Sequence, residues 1–120
     1  MWFLTLLSQG AGTTYEGNIT DNGWTKLPNG LIIQWGIVTT STVSNNRTVT
    51  YPIPFPHKVL AVVPTPSTTL GYSFHISGAS QGIYNITNSS FDWHYLDTLY
   101  AWRNDSSVYT YCAYWMAIGY

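Results

Sequence analysis

From Val108 to Tyr120 the chain alternates without presenting a polar face. One parity carries Val108, Thr110, Cys112, Tyr114, Met116 and Ile118, and the other Tyr109, Tyr111, Ala113, Trp115 and Ala117. Side chains of a strand point alternately to its two faces, so both faces here are apolar. Such a strand has to be covered on both sides. In a domain of this size one cover is an opposite sheet. The second is expected to be a neighbouring subunit.

The rest of the chain speaks for strands too. Val, Ile, Thr, Phe, Trp and Tyr dominate, residues that suit a pleated, half-buried surface. No window of eleven or more residues shows a clean 3.6 period. Short apolar runs are punctuated by Gly, Pro, Asn and Ser, which predicts an all-β, antiparallel β-sandwich. The 120 residues suffice for one such domain. We expect it over 23–120, with 1–22 as an N-terminal arm or the end of a shaft. The apolar start, Met1 to Ser8, has no Lys or Arg and no cleavage site close behind it, so it reads as an apolar N-terminal strand or packed arm rather than a signal peptide.

Composition removes several functions. Only 8% of residues are charged and the net charge is −1. That leaves no basic excess to neutralise phosphates, so no nucleic-acid partner is expected. Aromatics at 17% argue against disorder. The runs Trp2–Leu7 and Val59–Val63 are far too short for a membrane-spanning helix, and no membrane insertion is expected. A single cysteine, Cys112, excludes an internal disulfide; mid-strand among apolar residues, it reads as buried and inert.

Several local signals stand out. Pro28-Asn29-Gly30 marks a turn with Gly30 at positive φ. Behind it, Leu31, Ile33, Trp35 and Ile37 share one face of a strand running to Thr40. Ser44-Asn45-Asn46 reads as a turn before a strand Arg47–Tyr51. Pro52, Pro54 and Pro56 cannot donate to a ladder, so that segment is an edge or a polyproline-like bridge. Lys58–Val63 and Tyr72–Ser77 read as strands. Gly82–Thr87 and Phe91–Tyr95 form a hairpin around Asn88-Ser89-Ser90.

Three segments are more specific. Gly23-Trp24-Thr25-Lys26-Leu27-Pro28-Asn29-Gly30-Leu31-Ile32-Ile33-Gln34-Trp35-Gly36 resembles the opening of the C-terminal domain of bacteriophage tail fibre proteins. Tyr51-Pro52-Ile53-Pro54-Phe55-Pro56 with Val59–Val63 resembles that family's middle stretch, and Trp115-Met116-Ala117-Ile118-Gly119-Tyr120 its terminus. The three occur in order and span Gly23 to Tyr120. The resemblance implies a β-sandwich at the distal tip of a fibre, a homotrimer, and binding to a bacterial surface glycan such as lipopolysaccharide or to an outer-membrane protein. It implies a place in the virion after synthesis in the bacterial cytoplasm, the help of a tail fibre assembly chaperone, no enzyme activity and no cofactor. Trp24, Pro28, Gly30, Gln34, Trp35, Gly36, Trp115, Gly119 and Tyr120 belong to the signature and read as structural. The chain departs from the family pattern at His94–Ser107, longer than the usual connection before the last strand.

That departure falls within Phe91–Asp105, where Asp92, Asp97 and Asp105, three of the five acidic residues, gather with Arg103 among aromatics. Sugars offer C–H faces to aromatic rings and hydroxyls to polar side chains, so the mixture suits a saccharide. The expected receptor contacts are Trp93, His94, Asp97, Tyr100, Trp102, Arg103, Asn104 and Asp105. Phe91, Trp93 and Tyr95 share one parity, however, and the alternative is that they are core.

Catalytic and metal readings are weaker. His57, His75 and His94 have no metal-ligand spacing, and no metal site is expected. Gly78-Ala79-Ser80-Gln81-Gly82 fits a nucleophile-elbow pattern, but a strand rather than a helix follows, so it reads as a hairpin turn. Asp92 and Asp97 are the only carboxyl pair that tempts a glycosidase reading, and their odd separation separates them on a strand. Asn18, Asn46, Asn85, Asn88 and Asn104 begin N-x-S/T sequons, which read as turn chemistry rather than glycan acceptors. The expected function is receptor binding at a fibre tip. The alternatives are a trimerisation and capping module without receptor contact and, last, an enzyme acting on surface polysaccharide.

Overall fold

The computed structural model describes residues 15–40, 44–67, 79–97 and 111–120, all of it strand, turn or irregular chain. The strands are β1 (Glu16–Asn18), β2 (Gly23–Lys26), β3 (Ile32–Thr40), β4 (Ser44–Thr50), β5 (Val59–Ser67), β6 (Ala79–Tyr84), β7 (Ser90–Asp97) and β8 (Tyr111–Gly119). They form two antiparallel sheets. One has five strands in the order β1-β2-β3-β8-β5, the other three in the order β4-β7-β6. β8, the strand apolar on both faces, is interior to its sheet, paired with β3 on one side and β5 on the other.

The sheets meet face to face. Ile32, Val38, Ala113, Trp115 and Ala117 come from the five-stranded sheet, and Val49, Phe91 and Trp93 from the three-stranded one. Tyr51 and Phe55, from the Pro-rich segment, close the core. Its centre is aromatic: Phe91 meets Trp115 edge-on at 5.4 Å and Tyr51 meets Phe55 edge-on at 5.0 Å, geometries that oppose ring edge to ring face. The Trp93 indole N–H is satisfied inside, donating to Gln81 Oε1 at 2.9 Å.

Residues 51–58 form no ladder, as three prolines require, and one buried side chain compensates. Gln34 is fully buried. Its Nε2 donates to the Ile53 carbonyl at 2.8 Å and its Oε1 accepts the Ile53 N–H at 3.0 Å. A carboxamide thereby completes both backbone hydrogen bonds of Ile53, which sits between Pro52 and Pro54. The same segment hangs on the β6–β7 loop, with Tyr51 N–H donating to the Ser89 carbonyl and Phe55 N–H to the Asn88 carbonyl. The chain end is pinned by three backbone bonds between Tyr120 and His57–Lys58.

The turn at Pro28-Asn29-Gly30 forms as expected, with Gly30 at φ 92° and its N–H donating to the Leu27 carbonyl at 2.9 Å. β5 runs on through Pro64 and Pro66, which an edge strand tolerates because its outer N–H groups have no ladder to serve.

Three expectations are corrected. Ser44-Asn45-Asn46 is not a turn but the start of β4, paired with Leu96, Tyr95 and His94; the cross-strand ladder outweighs the turn preference of Ser and Asn. Ala79–Gly82 is not a hairpin turn but the body of β6, paired with Asp97 to His94. The β6–β7 turn opens earlier than Asn88, at Asn85 with φ 49°, and closes through the Thr87 hydroxyl, which accepts the N–H of Ser89 and of Ser90. The strand expected at Tyr72–Ser77 and the arm Met1–Ser8 lie outside the described residues.

Candidate functional site

Directly opposed residues of an antiparallel pair share a face, so the register sorts the two outer surfaces of the sandwich. On the five-stranded sheet, Ile33, Trp35 and Ile37 of β3 oppose Ile118, Met116 and Tyr114 of β8. Ala61, Val63 and Thr65 of β5 oppose the same three residues from the other side. All of these point away from the core. Tyr114 is 52% exposed, Val63 51%, Met116 43% and Ile37 38%. Leu31, Ile33, Trp35 and Ile37 were expected on one face, and three of them line this outer face, while the inward positions of β3 are Ile32, Gln34, Gly36 and Val38. The less apolar parity faces the core because Gln34 bridges to Ile53 there.

The three-stranded sheet has the opposite chemistry. Its outer face carries Asn46 and Thr48 of β4, Tyr84 of β6, and Asp92 and His94 of β7. Asp92 sits at the centre of a hydrogen-bonded cluster. Thr48 Oγ1 donates to its Oδ1 at 2.7 Å, and Asn85 Nδ2 to its Oδ2 at 2.9 Å. The Thr48 bond first, and the Asn85 bond second, hold the Asp92 carboxyl below its ordinary value of 3.8. The His94 ring bonds the Asn46 side chain across the strand pair. Donors, acceptors and the half-exposed Tyr84 ring thus share one surface. That is the composition a hydroxyl-rich ligand needs.

The expected receptor contacts divide. Trp93 is corrected: it is fully buried, opposite Arg47 on the inward parity, and belongs to the core with Phe91. His94 is on the outer face. Asp97 ends β7, opposite Ala79. Tyr100, Trp102, Arg103, Asn104 and Asp105 lie outside the described residues, as does His75. Asp92 and Asp97 are on one strand at opposite parities. Cys112 is buried. The polar partners of Asp92 and His94, Thr48 and Asn46, were not anticipated; their signal was an alternating polar parity in a segment whose Ser-Asn-Asn start reads as a turn.

The signature residues take structural positions. Trp115 is in the core, Trp24 packs against it, and Trp35 donates its indole N–H to the Thr20 carbonyl at 2.9 Å. His57 stacks against the ring of the C-terminal Tyr120 at 5.8 Å.

Comparison with known proteins gives a consistent picture. No curated protein matches the chain. Among solved structures it is similar to the C-terminal part of the P. aeruginosa R1 pyocin fibre, at 28% identity and TM-score 0.72 over 96% of this chain and 30% of that one. An N-truncated R1-type pyocin tail fibre matches at 27% identity and TM-score 0.72, over 100% of this chain and 97% of that one. An N-truncated R2-type pyocin tail fibre matches at 25% identity and TM-score 0.67, over 96% of this chain and 41% of that one. The chain therefore spans under half the length of two of these fibres. Residues 26–120 match the family described as "tail fiber protein gp53-like, C-terminal", so the chain belongs to that family of tail fibre C-terminal domains.

Proposed function

We propose that the chain is the receptor-reading tip of a tail fibre, working as a homotrimer and binding saccharide on a bacterial surface. The observation that carries the reading is the contrast between the two outer faces. The five-stranded sheet presents Ile37, Val63, Tyr114 and Met116, an apolar surface of the sort that marks an interaction site. In a family of fibre domains, copies of the same chain are the partner that fits it. The three-stranded sheet presents Asn46, Thr48, Tyr84, Asp92 and His94, a polar and aromatic surface suited to hydroxylated ligands.

In this reading the receptor contacts extend from His94 and Asp97 into Tyr100, Trp102, Arg103, Asn104 and Asp105. Three copies on one fibre multiply weak single-site binding into useful avidity. The domain is carried on a phage or phage-tail-like particle, needs no cofactor and turns over no substrate. An assembly chaperone is a partner on the folding route. The test is decoration of bacteria by the labelled domain, with Trp102→Ala and Arg103→Ala as variants. Both should weaken cell binding while leaving the circular dichroism spectrum intact; unchanged binding in both removes that segment from the receptor site. A domain that self-associates and decorates no susceptible strain is a capping module instead.

A further inference from the structure

A cleft of about 440 Å³ opens between the two sheets, within the ~300–1,000 Å³ usual for small-ligand sites. Asn22, Val38, Arg47, Thr50, Pro52 and Trp115 are among its lining residues. Two features of it do not follow from packing a sandwich.

The first is Arg47. It opposes Trp93 in the β4–β7 register, and Trp93 is fully buried, so Arg47 holds an inward position. An inward charge is costly unless it reaches water or a partner. Arg47 is nonetheless exposed, and it makes no ion pair among the described residues. Among the described residues it is the only charged one lining the cleft.

The second is Trp115. It is 3% exposed, and its indole N–H is buried without a hydrogen-bond partner. Gly36 lets the indole lie close against β3, since a Cβ there would stand 2.8 Å from both Nε1 and Cζ2 and would also meet the Asn22 side chain. The unpaired donor is thus next to Asn22, itself a lining residue. A buried donor left unsatisfied is costly, and an acceptor oxygen brought within its reach relieves that cost.

We infer that this cleft binds an acidic sugar residue, with Arg47 holding the carboxylate and the Trp115 indole N–H taking a ring or hydroxyl oxygen. Charge selects the class: a cation and several neutral hydrogen-bonding groups, with no acidic group among the described lining residues, favour an anion. Val38, Pro52 and the Trp115 ring supply apolar surface for sugar C–H faces. The inference rests on the saccharide-binding reading and deepens it. Arg47 neighbours Asn46, which bonds His94, so the cleft adjoins the polar outer face.

The test is an NMR titration of the full ¹⁵N-labelled chain with methyl glucuronide, and with methyl glucoside as the neutral control. The Trp115 indole resonance is assigned by its loss in Trp115→Phe, or by selective labelling if that variant does not fold. Methyl glucuronide should shift this resonance saturably. Arg47→Gln, at an exposed position, should weaken that binding about tenfold or more, as loss of a charge-assisted hydrogen bond does. A Trp115 resonance unmoved by methyl glucuronide in the folded chain overturns the inference. Cell decoration by Arg47→Gln separates the two readings. Undiminished decoration leaves receptor binding standing without the cleft, whereas a cleft that binds methyl glucuronide in a chain that decorates no strain removes the receptor reading alone.

Discussion

Replacing Gln34 by Leu should unfold the Pro-rich segment before the sheets. The side chain is fully buried and both ends of its carboxamide are used, at 2.8 Å and 3.0 Å, on the carbonyl and N–H of Ile53. Leucine matches its bulk and removes both partners. An orphaned buried group costs roughly 1–3 kcal/mol. Ile53 is half-buried, so water recovers part of this, and burying an apolar side chain offsets a little more. A net loss of about 2–4 kcal/mol follows, against a total stability of ~5–15 kcal/mol for a domain. Denaturant unfolding at fixed protein concentration reads it, because self-association would otherwise shift the midpoint. Gln34→Glu sharpens the test. Its buried carboxyl has a folded pKa raised above the unfolded value, so the destabilisation is absent at low pH, where a protonated carboxyl donates to the Ile53 carbonyl. It grows as pH rises through and above ~4.3, the ordinary Glu value. If Gln34→Leu is as stable as the parent, the carboxamide bridge does not hold this segment.

Further outcomes follow from other contacts. Met116→Asp, on the outward face of β8, should reduce the solution mass from three chains to one, measured by light scattering; a parent that is already one chain of 13.5 kDa sinks the trimer. Tyr51→Phe should be neutral or stabilise by up to about 1 kcal/mol in the same unfolding assay, because the hydroxyl is buried without a partner and burial has pushed its pKa up to about 12. A clear loss of stability would show that the hydroxyl is bonded in solution. The depressed Asp92 pKa contributes stability that is present above the unfolded carboxyl value and lost as pH falls through the folded one. Thr48→Ala should therefore move the Asp92 carboxyl resonance titration upward, and an unmoved titration would show that the Thr48 bond is not its main cause. Gly30→Ala should cost about 1–2 kcal/mol in unfolding experiments, since φ 92° is strained for any side chain; no cost would mean the turn relaxes.

Much of the fold could be read from residue patterns because its signals are local. The turn at Gly30 needs only its own tripeptide, and the prolines at 52, 54 and 56 exclude a ladder wherever the chain runs. The two-sided β8 was legible from parity alone, whereas Trp93, expected among the receptor contacts with the core only as the alternative, is buried beside Phe91. The orientation of β3 was not. Ile33, Trp35 and Ile37 outweigh Gln34 and Gly36 in apolarity, yet they face outward, because Gln34 is needed inside and the outer face of this sheet is itself apolar. The start of β4 was hidden for the converse reason: Ser and Asn favour turns alone, and only pairing with His94 to Leu96 makes them strand. The cleft draws on a loop before β2 and on β3, β4 and β8, so no spacing along the chain announces it.

The most direct test of the central proposal is binding of the purified chain to bacteria targeted by the particle that carries it. Saturable binding to those cells, lost when their surface polysaccharide is stripped and blocked by adding it back free, is the predicted result. Absence of saturable binding to any such strain, or binding indifferent to the polysaccharide, would contradict it.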